Sequence, residues 1–407
     1  MAEILTPGDE NDLANIIAEA VTAGAPLEIR GGGTKAAVGR PIQTAGVVST
    51  SAMSGITLYE PRELVLSARA GTPLVEVETA LAENNQELAF EPLYLEMVLG
   101  EPAAPSTIGA VFASNLSGSR RIYSGAARDH FIGVKAVNGL GELFKSGGRV
   151  MKNVTGYDLC RGLSGSWGTL AVMTDVTMKV LPSAESSQTI VLTGLIDDIA
   201  IDAMCAALTT PYEVSAAAHL QQSFVARLSD PELSALGAPL TALRVENFSS
   251  SVAYRIGKLG EALKAFGDIS VLDEDWSQIF WSDMRQLKVL QGSSDPLWRI
   301  SVPPKSGAKV VESIKAHHPT CQAVYDWSGG LIWLVMPPIS DAGASEVRRA
   351  VAASGGHATL IRADAATRTA VDVFQPLEDG VTALSGRIKA AFDPHGILNP
   401  GRMYAGV

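Results

Sequence analysis

The pattern of apolar and polar positions divides the chain into stretches of different texture. In the first, apolar residues recur at helical spacing after Asp9, and the short apolar strand 26–30 then leads into the glycine loop 31–34. From about 92 to 168, glycine, alanine, serine and asparagine dominate, and the apolar segments between them are short. Beyond Pro182, apolar or alternating strands alternate with alanine-rich helices, a pattern typical of an α+β fold.

Composition places the chain among globular proteins. With 407 residues, of which 46% are hydrophobic and 18% charged, it has enough apolar surface for a large core, so intrinsic disorder is excluded. No run of lysine and arginine interrupts the net charge of −11, which argues against a nucleic-acid partner. The most apolar stretch, 329–338, is far shorter than the roughly 20 residues that span a bilayer. We expect a cytoplasmic protein and leave open a peripheral attachment, through a partner, at the inner face of the cytoplasmic membrane.

The cysteines argue against disulfide and metal chemistry. Cys160, Cys205 and Cys321 are far apart and odd in number, so a disulfide framework is not expected. The sequence contains no Cys-x-x-Cys pair of the kind that binds zinc or an iron–sulfur cluster. We therefore predict no metal site in this chain.

The loop Gly31–Ala36 satisfies the letters G-x-G-x-x-A, but its context argues against a Rossmann dinucleotide site. Such a site needs a strand, the loop, and then a helix whose N-terminus receives the pyrophosphate. Here the helix precedes the strand, and the next strand ends in Ser49 and Thr50 without an acid for the ribose. Two interpretations remain at this point: a structural turn, or a backbone cradle whose successive N–H groups converge on a phosphate.

Further glycine-rich blocks follow at residues 105–110, 113–118, 123–129, 152–158 and 163–170. Together with the helix, the strand and the R-G-G-G-T opening, these blocks resemble the FAD-binding domain of the vanillyl-alcohol-oxidase or p-cresol-methylhydroxylase type. The run F-D-P-H-G-I-L-N-P-G-R at 392–402 resembles the ending of the glycolate oxidase and D-lactate dehydrogenase branch of that family. The resemblance covers residues 1 to about 182 and the last 20 residues well and the middle weakly, and its best overall match is to the smaller flavin-binding subunits of bacterial glycolate oxidases.

The resemblance implies a cofactor, FAD, and the residues that hold it. In this family the R-G-G-G-T loop binds the FAD pyrophosphate through backbone N–H groups, and the later glycine-rich elements line the phosphates, the flavin and the adenine side. No histidine or cysteine stands out as an attachment point, so we predict non-covalent FAD. The implied cofactor-binding residues are Arg30, Gly31, Gly32, Gly33, Thr34, Lys35, Pro105, Ser106, Thr107, Gly109, Ala110, Ala113, Asn115, Ser117, Gly118, Tyr123, Gly125, Asp129, Gly168, Thr169 and Val172.

The resemblance also implies the architecture. We expect an α+β fold with a two-part FAD-binding domain of the p-cresol-methylhydroxylase type in residues 1–182. A smaller cap domain with an antiparallel sheet, which also binds partners, is expected in residues 183–385. The C-terminal segment 386–407 is expected to return and pack against the FAD domain.

The chain departs from its family where substrate is oxidised. Members that oxidise 2-hydroxy acids carry H-x-G-D-G-N-x-H and a later E-H-G, whose residues bind a divalent metal or orient the substrate, and one histidine takes the hydroxyl proton. The matching stretch 326–333 has Asp326 and Trp333 at the histidine positions, and 354–358 lacks the glutamate. Tryptophan cannot accept a proton, so the catalytic residues are unknown from sequence.

Three side chains are weak catalytic candidates, and each has a structural alternative. Arg299 is a candidate for two parallel hydrogen bonds to a substrate carboxylate, or for a structural ion pair. Asp326 is either a proton acceptor or an exposed turn carboxylate. His357, in a glycine-rich turn, is either a residue of the substrate site or a turn residue without a role in binding.

The resemblance finally implies a function within an assembly. We expect the FAD-binding subunit of a glycolate (2-hydroxy acid) oxidase or dehydrogenase complex, with glycolate or lactate as the small-molecule substrate. The implied partners are a larger flavin-binding catalytic subunit and an iron–sulfur subunit, through which electrons from the flavin pass to quinone. Two alternatives remain: a stand-alone FAD-dependent 2-hydroxy acid dehydrogenase, and a structural subunit with a degenerate FAD domain.

Overall fold

A computed structural model describes residues 3–100, 104–149 and 156–406, so most of the sequence block 152–158 lies outside the described residues. Its strands are β1 (Glu3–Leu5), β2 (Leu27–Arg30), β3 (Gly46–Ser49), β4 (Ile56–Glu60), β5 (Val65–Arg69), β6 (Gln86–Glu87), β7 (Phe131–Asn138), β8 (Leu143–Gly147), β9 (Ala171–Lys179), β10 (Leu181–Pro182), β11 (Ser186–Thr193), β12 (Val214–Leu220), β13 (Leu240–Asn247), β14 (Ile269–Leu272), β15 (Leu297–Ser301), β16 (Gln322–Asp326), β17 (Leu331–Val335) and β18 (His357–Arg362).

The α-helices are α1 (Glu10–Ala23), α2 (Leu74–Ala82), α3 (Glu96–Leu99), α4 (Ile108–Ser114), α5 (Arg121–Ser124), α6 (Ala127–His130), α7 (Leu159–Leu163), α8 (Asp197–Leu208), α9 (Gln222–Val225), α10 (Pro231–Ser234), α11 (Ser249–Leu263), α12 (Glu274–Arg285), α13 (Gly307–Lys315), α14 (Ala344–Ser354), α15 (Ala365–Ala370) and α16 (Asp379–Phe392). Short 3-10 helices occur at Thr50–Ala52, Pro61–Glu63, Lys288–Leu290, Pro304–Ser306 and Trp327–Gly329. Within the described ranges, no helix combines the length and the apolarity needed to cross a bilayer.

A small parallel sheet with strand order β1–β3–β2 opens the chain. Helix α1 packs on it through one apolar face, on which Leu13 and Ile17 are fully buried. The Asp9 side chain caps the helix by accepting two backbone N–H groups, and Gly24 ends it with a φ of 60°. Strand β2 then delivers Arg30 directly to the glycine loop.

An antiparallel sheet with strand order β4–β5–β9–β7–β8 forms the second part of the N-terminal half. Its core includes the stacked rings of Phe112 and Phe131, whose centroids are 4.4 Å apart. Helix α4 crosses the end of β5 closely, because a Cβ at Gly109 would lie 2.7 Å from the Cβ of Ala70. Glycine at this position therefore brings the start of α4 against the sheet.

The C-terminal half forms an eight-stranded antiparallel sheet with strand order β14–β11–β13–β12–β16–β17–β15–β18. The register places Arg299 opposite Trp333 on β17 and Thr359 on β18, so these three side chains share one face of the sheet. Asp326 ends β16 on the same face, opposite Leu331. The predicted α+β fold with an antiparallel cap sheet is confirmed.

A buried cluster of charges joins this sheet to the N-terminal half. Arg244 on β13 forms ion pairs with Glu91 at 2.9 Å and with Glu246 at 3.2 Å. Arg120 pairs with Glu246 at 3.2 Å, and its backbone N–H donates to Glu91 at 2.9 Å. Because these opposite charges compensate each other, the cluster holds the turn at 118–121 against the sheet.

The end of the chain returns to the first sheet. After α16, Leu398 pairs in parallel with Leu27. The side-chain oxygen of Asn399, which is fully buried, accepts the backbone N–H of Ile29 at 2.8 Å. These contacts extend the β1–β3–β2 sheet, while the domain boundaries given above stay predictions.

Candidate functional site

A cavity of about 660 Å³ lies where the glycine loop, the start of α4, the start of β9 and the C-terminal tail meet. Part of this volume is open to solvent. The lining residues are Ile29, Arg30, Gly31, Gly33, Thr34, Lys35, Ala36, Thr50, Ala70, Gly109, Ala110, Ala113, Ser114, Trp167, Gly168, Ala171, Val172, Met173 and Arg402. Small side chains dominate this lining, so the backbone forms much of the wall.

Two glycines of the loop are required by the segment that crosses it. A Cβ at Gly31 would lie 2.2 Å from the Oγ1 of Thr107, and a Cβ at Gly32 would lie 1.9 Å from the carbonyl oxygen of Pro105. Gly33 has a φ of 80°, a conformation that favours glycine. The glycines therefore let the loop lie directly on the crossing segment, which alone accounts for their presence at the first two positions.

Several donors around the cavity have no partner within the protein. In the part of the chain that the structure describes, the backbone N–H groups of residues 32–35 donate no hydrogen bond. The buried hydroxyl of Thr107 likewise has no hydrogen-bond partner there. Because buried polar groups are nearly always paired, the Thr107 hydroxyl indicates a ligand that accepts hydrogen bonds, and the N–H groups of residues 32–35 are available to the same ligand.

Two buried cations, Lys35 and Arg402, lie at the cavity. The Nζ of Lys35 donates to the hydroxyl oxygens of Ser106 at 3.0 Å and Thr34 at 3.4 Å. Burial lowers the pKa of Lys35 to about 8, against the opposing effect of Glu96. Burial also lowers the pKa of Arg402 to about 10. Neither cation forms an ion pair with a described residue, and Glu96 and Glu28 act on them only without direct contact, so the cavity wall carries positive charge that suits an anion.

The structure brings many of the predicted cofactor residues together. Those that line the cavity are Arg30, Gly31, Gly33, Thr34, Lys35, Gly109, Ala110, Ala113, Gly168 and Val172. Gly32, Pro105, Ser106 and Thr107 lie directly against this lining. Outside it are Asn115, Ser117, Gly118, Tyr123, Gly125, Asp129 and Thr169.

Two of the predicted residues outside the lining have roles in the fold. The side-chain oxygen of Asn115 accepts the backbone N–H of Arg128 at 3.0 Å. The hydroxyl oxygen of Ser117 accepts the backbone N–H of Ala127 at 2.9 Å. Both bonds fix the path of the chain after α4, and the assignment of these residues to the cofactor stays a prediction.

The cavity also contains residues that were not among the predicted cofactor-binding residues. Arg402 closes the C-terminal motif, so its position in that motif was an available signal. Trp167 is buried with a φ of 54°, and the Cζ of Arg402 lies 5.6 Å from its ring centroid. Thr50, Ala70 and Met173 carry no local signal, because only the fold brings them to the site.

A second group of charged side chains lies on the face of the eight-stranded sheet, around Arg299. This guanidinium is 7% exposed, and its Nε and Nη2 have no hydrogen-bond partner among the described residues. Its Cζ lies 5.1 Å from the ring centroid of Trp327 and 5.9 Å from that of Trp333. Burial and the nearby Arg121 lower the pKa of Arg299 to about 9. The structural ion pair considered from sequence is therefore not found among the described residues.

Asp326 is buried and is not the exposed turn carboxylate considered from sequence. Its carboxylate accepts the hydroxyl of Ser119 at 2.7 Å and the backbone N–H of Trp327 at 2.7 Å. Burial raises the pKa of Asp326 to about 7, although both hydrogen bonds oppose the shift. The turn that follows Asp326 is buried because it packs on the N-terminal half of the chain. There the carbonyl oxygen of Gly118 accepts the indole N–H of Trp327 at 2.9 Å.

His357 begins β18 opposite Ser301 and is exposed. Partial burial, together with the positive charges of Arg299, Arg121 and Arg348, lowers the pKa of His357. The neutral ring is therefore favoured beside a group of arginines. The cluster as a whole offers an unpaired guanidinium edge, a protonatable carboxylate and an accessible imidazole.

Comparison with known proteins first defines the class. A family model described as an FAD binding domain matches residues 1–147. The crystal structure of p-cresol methylhydroxylase with substrate bound is similar with a TM-score of 0.69 and 13% identity, and covers 99% of this chain and 88% of that chain. The predicted fold type is thus confirmed.

Sequence relatives then define the family. Glycolate oxidase subunit GlcE of Escherichia coli is 33% identical over 391 residues, which are 95% of this chain and 95% of that protein. D-lactate dehydrogenase of Archaeoglobus fulgidus is 29% identical over 181 residues, which are 44% of this chain and 38% of that protein. The chain belongs to the family of the glycolate oxidase subunit GlcE and is an FAD-dependent oxidoreductase, as the resemblance predicted.

The cavity fits the charged part of FAD. The N–H groups of residues 32–35 and the hydroxyl of Thr107 are free to donate to phosphate oxygens. Lys35 and Arg402 supply positive charge at the same wall. These residues would hold the pyrophosphate.

Proposed function

We propose that this chain is the FAD-binding subunit of a complex that oxidises glycolate or a similar 2-hydroxy acid. The observation that carries the proposal is the unpaired guanidinium of Arg299 on the sheet face that meets the FAD part at Ser119. Bound FAD supplies the two-electron acceptor for a C–H bond of such a substrate. The protein's own residues bind the acid, orient it and exclude water.

Arg299 is suited to bind the substrate carboxylate. Its Nε and Nη2 lie along one edge of the guanidinium, the arrangement that donates two parallel hydrogen bonds to a carboxylate. Trp327 and Trp333 flank the guanidinium and keep water away from it. In such a low-dielectric setting the charge pair is stronger than in water, which favours a small anionic substrate.

The oxidation also needs an acceptor for the hydroxyl proton. Both carboxylate oxygens of Asp326 already accept hydrogen bonds, one from Ser119 and one from Trp327. Trp333, at the other family histidine position, cannot accept a proton. This chain therefore does not oxidise the substrate alone. The larger flavin-binding subunit supplies the acceptor for the hydroxyl proton, and an iron–sulfur subunit of the same complex passes the electrons to quinone.

The test is the visible absorption spectrum of the purified chain before and after anaerobic glycolate. We expect a yellow protein that releases FAD on denaturation and that glycolate bleaches only when the larger flavoprotein subunit is added. Bleaching of the isolated chain would contradict the need for a partner. A colourless chain that takes up no FAD would instead support a structural subunit.

A matched pair of variants tests the carboxylate site. The affinity for oxalate is measured from the change in flavin absorption as oxalate is titrated into the FAD-loaded chain. Arg299→Gln should lower this affinity by about tenfold or more, because a charge-assisted pair is lost. Arg362→Gln is the control, since Arg362 is a buried arginine of the same sheet that donates to backbone carbonyls. Equal oxalate affinities in both variants would remove Arg299 from the site.

A stand-alone dehydrogenase is the second candidate. It is favoured by the pKa of Asp326, which burial raises to about 7, near the pH at which acid–base catalysis is efficient. Turnover with an artificial electron acceptor and no partner, abolished in Asp326→Asn, would support this candidate over the first.

A further inference from the structure

Arg402 reaches the cofactor cavity from the C-terminal tail. Its Nη2 donates to the carbonyl oxygen of Lys35 at 2.8 Å, and its own carbonyl oxygen accepts the backbone N–H of Arg40 at 2.9 Å. The side chain is 6% exposed and lies over the ring of Trp167. The guanidinium is therefore held at the cavity wall, against a loop that precedes it by 367 residues.

One donor of this buried guanidinium has no use within the protein. The Nε of Arg402 is buried without a hydrogen-bond partner among the described residues, and no described carboxylate forms an ion pair with the side chain. A guanidinium removed from water without a counter-ion is costly. Lys35, linked to Arg402 through its carbonyl oxygen, adds a second buried cation at the same wall. Two cations that line the same cavity match a ligand with two negative charges.

We propose that Arg402 is a cofactor-binding residue, whose Nε pairs with the FAD pyrophosphate together with the Nζ of Lys35, so that the C-terminal segment closes the site. The inference rests on FAD as the cofactor and is independent of the proposed role in glycolate oxidation. It gives the C-terminal motif a chemical task beyond packing.

The tail keeps its place without the Arg402 side chain. Leu398 pairs with Leu27, and the side chain of Asn399 bonds to the backbone of Ile29. The side-chain amide of Asn399 also donates to the carbonyl oxygen of Trp167 at 2.8 Å. A substitution at Arg402 therefore removes charge from the cavity and leaves these bonds intact.

The experiment compares FAD with ADP, which has two phosphates and no flavin ring. The full-length chain is freed of flavin, and both ligands are titrated by calorimetry into wild-type, Arg402→Gln and Arg402→Lys. We expect Arg402→Gln to weaken FAD and ADP alike by about 10- to 100-fold, and Arg402→Lys to weaken them less because it keeps the charge. Arg362→Gln, the buried arginine of the cap sheet, should leave both affinities unchanged.

The other outcomes are decisive as well. Weaker FAD binding with unchanged ADP binding would place Arg402 at the flavin ring and overturn the phosphate assignment. Unchanged affinity for both ligands would overturn the proposal as well. If Arg402→Gln does not fold, hydrogen exchange of the wild-type chain decides: ADP should protect the amides of residues 399–406, and unchanged exchange would overturn the proposal. Wild-type chain that binds neither ligand would refute the cofactor itself, whereas failure of glycolate to bleach the flavin leaves this inference standing.

Discussion

The cofactor cavity and the cluster around Arg299 differ in the source of their chemistry. The cavity is lined by backbone and small side chains, with Lys35 and Arg402 as its buried cations. The cluster on the cap sheet is built from long side chains, with Arg299 held between Trp327 and Trp333. In the cavity, the path of the main chain presents backbone N–H groups as donors. In the cluster, the donor is a side-chain guanidinium, and the packing of side chains from distant parts of the sequence holds it in place.

This difference determines how each site responds to change. A backbone site tolerates no new Cβ where two segments cross, because the segments themselves must move apart. A side-chain site keeps its fold when one group is replaced and changes only its charge or its ligand. The stretch 326–333, which was matched to the family's histidine element from sequence, lies in the second kind of site.

The largest effect is expected from removal of the tail. A chain ending after Arg387 lacks the strand pairing of Leu398, the buried bonds of Asn399, and Arg402. We expect no measurable FAD binding, because both the support and one cation of the cavity are lost. A chain ending after Tyr404 is the control and should bind FAD normally. Wild-type FAD affinity in the shorter chain would refute the role of the tail.

Gly32→Ala should be nearly as damaging. The new Cβ would lie 1.9 Å from the carbonyl oxygen of Pro105, so the loop or the crossing segment must shift. We expect the free energy of unfolding to fall by about 3 kcal/mol and FAD binding to be lost. Gly162→Ala in α7 is the matched control, because a Cβ there meets nothing within 4 Å. Urea unfolding measures the stability of each variant, and an FAD titration measures its cofactor affinity. Equal stability and equal FAD affinity in Gly32→Ala and Gly162→Ala would contradict the close approach of Gly32 to Pro105.

The sequence predicted the contiguous part of the proposed cofactor site. Arg30 to Lys35 form one loop with recognisable spacing, and they line or support the cavity together. Arg402 was missed as a cavity residue, because the motif that contains it does not show which cavity it reaches, and its contact with Lys35 spans 367 positions. The FAD cofactor and the fold type were predicted and are confirmed, since both are encoded in several motifs in a fixed order.

The cap face was less accessible to sequence reasoning. The letters around Asp326 are typical of an exposed turn, and the local sequence is indeed a turn. Its burial comes from Ser119, 207 residues earlier in the chain. The environment of Arg299 likewise depends on the two strands that flank β15, so an ion pair and a free guanidinium were indistinguishable before the fold was known.

A smaller effect is expected on the pH dependence of stability, and it tests the cluster around Arg299. Burial raises the pKa of Asp326 from 3.8 to about 7, so between these values the folded chain keeps a proton that the unfolded chain releases. The free energy of unfolding should therefore fall as pH rises through this window, by up to about 1.4 kcal/mol per pH unit. Asp326→Asn should remove this fall, which urea unfolding at pH 5 and pH 7 would detect.

The control for Asp326 is a carboxylate with the opposite shift. Hydrogen bonds from the backbone and side chain of Thr367 lower the pKa of Asp364, which caps α15. Asp364→Asn should still show the decrease in the free energy of unfolding between pH 5 and pH 7. Parallel pH profiles for wild-type and Asp326→Asn would show that Asp326 stays ionised in the folded chain.

The smallest effect concerns the pH dependence of FAD affinity and tests the cavity side of the comparison. Burial lowers the pKa of Lys35 from 10.5 to about 8 in the chain without cofactor, and a bound pyrophosphate should raise it again. Binding then takes up a proton above pH 8, so the Kd for FAD should rise by up to about tenfold per pH unit between pH 8 and pH 9.5. Lys35→Met should bind FAD more weakly at pH 7 and lose this slope, whereas Lys145→Met, at an exposed lysine on β8, should keep it. A slope that survives in Lys35→Met would mean that another group takes up the proton and that Lys35 does not titrate between pH 8 and pH 9.5.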